Sequence, residues 1–292
     1  MSVPSRGLLG ITLLGCVLAV AMPVRSADSF SFTTLDVPGA TTTGASGINA
    51  GGLIVGAFSD SGGKWHGYVR AANGTVTPFD VSGATSTYGL GINSTGQIVG
   101  FFADTNGRQH GFLRTPDGTV TPLDVSGATA TVAVGINDAG QIVGAFQDSR
   151  GKGLGFLRAA DGTFATIDRA GATKTGASGI NGPGQIVGAF TDAGGKNHGF
   201  LRSVSGAFAS IDAPGAAATL ANGINGSGRI VGFFEDATHK SHGYVRSAEG
   251  ASTTIDAPGA TATFAFGVND AGQIVGDFED GNGKRHGFVT SP

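Results

Sequence analysis

Hydrophobic and polar positions alternate along this chain in short bursts, and the bursts recur. Residues 135–146 read GINDAGQIVGAF, and related stretches begin at Gly47, Gly91, Gly179, Gly223 and Gly267. Successive starts lie 44 residues apart, with no insertion or deletion. Within a unit, runs such as TVTPFD at 75–80 and FATID at 164–168 carry β-branched and aromatic residues in alternation, the pattern of a short strand. Each run ends at an aspartate (Asp36, Asp80, Asp124, Asp168, Asp212, Asp256) and is followed by a glycine-bearing turn. A strand of small residues comes next, as in TGASGI at 43–48, and then a turn opened by Asn49, Asn93, Asn137, Asn181, Asn225 or Asn269 with glycine three residues later. Asparagine there bonds its own backbone, and glycine takes the left-handed conformation that other residues resist. A third strand carries Ile-Val-Gly-x-Phe, and a fourth reads His-Gly-aromatic-aliphatic-Arg, as in HGFLR at 198–202. Asn73-Gly74, Asp117-Gly118 and Asp161-Gly162 are hairpin signals leading back to the first strand.

Four antiparallel strands per 44 residues, with no helical period after the leader, predict an all-β fold: a six-bladed β-propeller of six four-stranded repeats. Stacking each blade between two neighbours would bury Ile54, Val55, Phe58, Tyr68 and their counterparts, each large side chain contributing about 1.5–3 kcal/mol. The small-residue strand suits the crowded channel, where six strands converge. The repeats open with a first-strand segment at 30–36 and stop one strand short of a full unit. Residues 30–37 are therefore expected to pair beside 285–290 and close the ring, removing two exposed edges. An open solenoid would instead want atypical capping repeats, which the sequence does not contain.

The N-terminus changes the expected compartment rather than the fold. Arg6 precedes an apolar run at 7–22, Pro23 breaks it, and Val24-Arg25-Ser26 offers a cleavage site. The expected organisation is a removed signal peptide at 1–26 and one propeller domain at 27–292. The apolar run is shorter than the roughly 20 residues of a membrane-spanning helix, so no membrane span is expected. Leu13-Leu14-Gly15-Cys16 offers an alternative lipid anchor through Cys16, against which Leu14 is too large for its place. Cleavage removes the one cysteine, so the exported chain must be held by its core without disulfides. It would also leave 16 Lys and Arg against 21 Asp and Glu, with no basic cluster, which argues against nucleic acid and anionic membranes as partners. A monomer in the extracellular space or periplasm is expected.

Gly-Ile-Asn-x-x-Gly-Gln-Ile-Val-Gly, followed after a spacer by His-Gly-Phe-Leu, resembles the bacterial extracellular HAF-type repeat family, in which His-Ala-Phe stands where this chain has His-Gly-Phe. The resemblance covers about 260 residues and implies an exported, propeller-like bacterial protein. It carries over no catalytic residues.

Equivalent positions of the six units form columns, and the candidate chemistry lies in a few of them. His66, His110, His198, His242 and His286 share a column in which the third unit has Leu154. Replacement by leucine favours blade packing that satisfies a local backbone group over an acid–base or metal ring, and no metal or cofactor is expected. The Asp60 column and the basic column of Lys64, Arg108, Lys152, Lys196, Lys240 and Lys284 are expected to form cross-turn salt bridges worth about 0–1 kcal/mol each. A single site, by contrast, must break the sixfold pattern. Glu235 and Glu279 replace Ser59, Ala103, Gln147 and Thr191, and Asp277 replaces Ala and Phe; together they are the candidate carboxylates for glycosidase chemistry or a hard cation. A solvated acidic rim is the blander account of the two glutamates. In the small strand, Tyr88, Leu90, Phe264 and Phe266 would make one side of the channel mouth apolar and aromatic, a platform for sugar or peptide, with blade repacking as the alternative. Zinc spacings, a P-loop, a dinucleotide fingerprint and a Gly-x-Ser-x-Gly elbow are all missing from the sequence.

The sequence thus points to an exported β-propeller acting as a binding or interaction module for carbohydrate or a surface protein. A carbohydrate-active hydrolase or lyase using Glu235, Asp277 and Glu279 is one alternative, and a structural or adhesive surface repeat protein is the other.

Overall fold

The computed structural model describes residues 30–291. The expected leader at 1–26, with Cys16, lies outside the described residues. Blades 1 to 5 each run outward from the channel in chain order. In blade 1 the inner strand is Thr42–Ile48, the second Ile54–Ser59, the third Trp65–Arg70 and the outer Val76–Phe79. Blade 6 takes its inner three strands from Ala262–Val268, Ile274–Glu279 and Arg285–Ser291, and its outer strand from the other end of the chain, Ser31–Leu35. That closing strand is antiparallel to Arg285–Ser291, in register from Ser31 opposite Ser291 to Leu35 opposite Gly287. The six blades form a closed ring, and the described residues contain no helix.

The core lies between blades. Each of six apolar clusters straddles one blade interface; one joins Val99 and Leu123 of blade 2 to Ala133, Ile136, Ile142 and Phe156 of blade 3. Leu35 of the closing strand lies with Val275 in the cluster shared with Ala45, Ile48 and Ile54 of blade 1, so closure and core formation are one event. Ile54, Val55 and Tyr68 are buried as expected. Phe58 is only half-buried: its ring stacks on His66, 5.1 Å between centroids, towards the rim.

Two glycine columns set how tightly this packs. A Cβ at Gly56 would overlap the Gly44 carbonyl oxygen of the inner strand and the Tyr68 ring, and Gly100, Gly144, Gly188, Gly232 and Gly276 are crowded in the same way. A Cβ at Gly91 would lie 2.5 Å from the Val134 carbonyl oxygen of the next blade. Neighbouring inner strands approach so closely at the axis that no side chain fits between them.

The recurrent turn asparagines do more than shape their own turns. Asn49 Oδ1 accepts the Leu53 N–H within its turn, while Nδ2 donates to the Asn93 carbonyl of the next blade, 3.0 Å away. The same donation runs from Asn93 to Asn137, Asn181, Asn225 and Asn269, and Asn269 returns it to Asn49 at 3.2 Å. A hydrogen-bonded belt therefore circles one end of the channel, with every amide buried and satisfied.

Candidate binding site at the channel mouth

Every inner strand carries a register irregularity near its middle, as between Ala45 and Gly47. The bulge turns the Ser46 column, with the Gly44 column before it, towards the axis, while Ala45, Gly47 and Ile48 are buried between blades. At the belt end the channel is ringed by the turn asparagines and their flanking residues. At the opposite end, where the outer-to-inner connections and the Asp60-type turns lie, it widens into a cavity of about 340 Å³. In blade 1 the small Gly44 and Ala57 stand where blade 2 carries Tyr88 and Phe101 and blade 5 Leu220 and Phe233, which leaves room beside Asp277; blade 4 has the same small pair, Gly176 and Ala189.

All six blades contribute to the cavity wall, blades 6, 1 and 2 most of it. Tyr88 and Leu90 come from blade 2, Trp65 from blade 1, and Phe266, Asp277 and Arg285 from blade 6, with Ser46, Ser178 and Asn222 among the further lining residues. Tyr88 is sandwiched between Trp65 (centroids 5.2 Å apart) and Phe101 (4.5 Å, nearly parallel), a continuous aromatic stack. Burial raises the Tyr88 phenol above its ordinary pKa, so it stays neutral and able to donate.

Of the four aromatic and apolar residues singled out from the sequence, Tyr88, Leu90 and Phe266 line this cavity. Phe264 is not in the lining. It packs edge-on against Phe233 at 4.9 Å and carries the Arg285 guanidinium over its ring, also at 4.9 Å. The three candidate carboxylates are not brought together. Asp277 enters the cavity, whereas Glu235 and Glu279 close the second strands of different blades outside its lining, and Glu235 lies 3.6 Å from the exposed His239.

Asp277 is buried. Its Oδ1 accepts the Ala45 N–H of blade 1 at 2.9 Å, and its Oδ2 lies 3.9 Å from Nη1 of Arg285. A Cβ on Gly44 would lie 3.0 Å from that Oδ2, so the glycine makes room for the carboxylate. Burial pushes the carboxyl up to about 7, against the opposing pull of the Ala45 N–H and the Arg285 charge. Trp65 and Arg285 were not singled out from the sequence. They share one column with Gln109, Gly153, Asn197 and Ser241, so the asymmetry that exposed the other candidates was there to be read.

The rim of the same face corrects two expectations. The histidines bind carboxylates rather than a backbone group: His66 Nδ1 lies 2.9 Å from Asp80 and Nε2 3.3 Å from Asp60, and the arrangement recurs at His110, His198, His242 and His286. In the last, the Nδ1 partner is Asp36, at the end of the closing strand. Nor do the lysines pair across the turn. Lys64 and Lys152 reach Asp80 and Asp168 of the outer strand, and Lys196 donates to the Ala216 carbonyl. The turn aspartates instead accept turn N–H groups, as Asp60 does from Gly62 and Lys64. Asp60 is held below the usual carboxylate range by His66 and then by the Lys64 N–H, and Asp192 by the Lys196 N–H and then by His198. Among the described residues no group of His, Cys, Asp and Glu is arranged to hold a metal ion.

Ring, closure and blade count define a six-bladed β-propeller. Comparison with solved structures agrees on the fold. The fucose-specific lectin of Aleuria aurantia, itself a six-bladed β-propeller, aligns with a TM-score of 0.55 at 14% identity over 86% of this chain and 96% of its own. AofleA of Arthrobotrys oligospora aligns at 0.58 and 12% identity over 89% and 86%, and TolB of Acinetobacter baumannii at 0.59 and 9% over 87% and 65%. No family model matches the sequence, and the search of curated proteins finds no match either.

Proposed function

We propose that this protein is an exported carbohydrate-binding propeller whose sugar site is the channel-mouth cavity. The observation that carries the proposal is the stacked pair of Trp65 and Tyr88, backed by Phe101, standing in the same wall as the buried Asp277. A sugar ring offers an apolar face of C–H groups and an edge of hydroxyls. An aromatic platform meets the first and fixed polar groups meet the second, which is the usual composition of a small-molecule site. The volume, about 340 Å³, lies at the small end of ligand cavities and suits one or two sugar rings. The resemblance of the fold to fucose-binding lectins adds support without identifying the sugar.

Hydrolysis is the weaker reading, because glycosidases place two carboxyl groups across the scissile bond, and of the three candidate carboxylates Asp277 alone lines the cavity. The test is calorimetric titration of the purified protein with neutral monosaccharides and short glycans, alongside a Trp65→Ala variant. Saturable heat that Trp65→Ala weakens at least about tenfold is expected. A full panel without heat, or unchanged binding by Trp65→Ala, would overturn the site.

A further inference from the structure

Two departures from the sixfold repeat meet in this cavity. Asp277 stands where the other blades carry Ala57, Phe101, Ala145, Ala189 and Phe233, and Arg285 shares the Trp65 column. They sit on adjacent strands of blade 6 with their charges 3.9 Å apart, beyond hydrogen-bonding distance. Asp277 Oδ1 is already occupied by the Ala45 N–H, which leaves Oδ2 as the unfilled acceptor of a buried carboxylate that borders the cavity. Arg285 is engaged by the Phe264 face and half-exposed, so part of its guanidinium remains available to a ligand. A polar gap of this length is one that a bridging hydroxyl or water fills.

Resting on the sugar-binding reading, we infer that Asp277 and Arg285 form a split pair completed by one ligand hydroxyl, which donates to Asp277 Oδ2 and accepts from an Arg285 N–H, so that the site selects uncharged sugars over amino sugars and sugar acids. The charge arrangement decides the class. An ammonium attracted by Asp277 would meet Arg285, and a carboxylate attracted by Arg285 would meet Asp277. A hydroxyl is donor and acceptor at once and satisfies both. Arg285, on the third strand of blade 6, is the charge that acts on Asp277. The other titratable groups near it are Tyr68, whose hydroxyl is spent on the Gly44 carbonyl, and Tyr88 across the cavity, both kept neutral by burial. Because burial holds the Asp277 carboxyl near neutrality, a hydroxyl donor that prefers the ionised form binds more tightly at pH 8 than at pH 6.

The experiment is calorimetric titration of the wild type, Asp277→Asn and Asp277→Ala with neutral hexoses and their amino and uronic acid counterparts, at pH 6 and pH 8. Alanine occupies this column in blades 1, 3 and 4, so Asp277→Ala is expected to fold. The expected result is neutral-sugar binding several-fold tighter at pH 8, at least about tenfold weaker in both variants, and at least about tenfold weaker for the charged sugars. Neutral-sugar binding unaffected by both substitutions, or charged sugars bound as tightly as neutral ones, would overturn the split pair. The sugar site would then still stand on the Trp65→Ala result. If no sugar binds the wild type at either pH, the sugar site itself falls, and the inference with it.

Discussion

Asp277 is costly where it stands. A carboxyl with one N–H donor and a guanidinium out of bonding range prefers to be neutral, and folding at neutral pH must either carry its charge into a dry place or take up a proton. Its folded pKa, near 7, lies above that of the unfolded chain, near 3.9. Between those values the native state binds the extra proton, so this group's contribution to stability falls as pH rises from about 4 and levels off above about 7. Asp277→Asn removes the dependence. Its melting temperature should match or exceed the wild type's, with the gap growing from pH 4 to pH 8 as the stability difference reaches about a few kcal/mol. Thermal melts across that range check it, and a constant gap would show that the carboxyl titrates normally. Asn137 and its equivalents are the opposite case, since each side-chain amide closes a bond within its own turn and another to the next blade.

At the scale of the strand, the inner element is defined by what it lacks. Its small residues read in sequence as suited to a crowded axis, and the contacts show which glycines are compulsory. On the neighbouring second strand, Gly144→Ala would drive a methyl into the inner-strand Val132 carbonyl and the Phe156 ring, whereas a Cβ on the inner-strand Gly176 meets nothing nearer than Ala145 at 3.8 Å. Overpacking of this kind costs about 1–3 kcal/mol, and more where backbone must move. The expected melting temperature of Gly144→Ala is therefore lower by about 5–10 °C, with Gly176→Ala nearly unchanged. Equal melts for the two variants would remove close strand approach as the reason for the column. The Ser46 and Gly44 columns were legible as channel-facing because they vary while the residues between them stay small. The Trp65 column varies just as much. Its place at the start of the third strand gave no sequence-level reason to put it beside the channel, and only the folded blade brings it against Tyr88.

At the scale of the molecule, the ring is closed by a strand more than 250 residues distant in sequence from its partner, and Leu35 of that strand belongs to the interface of blades 6 and 1. The cavity at the channel mouth draws most of its wall from that same seam, from blades 6, 1 and 2. Removal of residues 27–40 would expose the edge of Arg285–Ser291, strip Leu35 from the core and release His286 from Asp36. The melt should broaden and shift down, and calorimetric and van't Hoff enthalpies should diverge; an unchanged sharp transition would mean that closure contributes nothing to cooperativity.

Strand identity, blade count and the closing pair were all legible in the chain, because hydrophobic alternation, turn chemistry and a 44-residue period are local signals that survive without a structure. The asparagine belt, the aspartate pairs of the histidines, the separation of Glu235 and Glu279 from Asp277, and the cavity itself were not. Each depends on which atoms of distant segments come within a few ångströms once six blades pack around an axis. A repeat states where a residue lies within its blade; the stacking of blades decides what it faces, and here a glycine and an alanine in blade 1 open the space that a carboxylate and an arginine from blade 6 share.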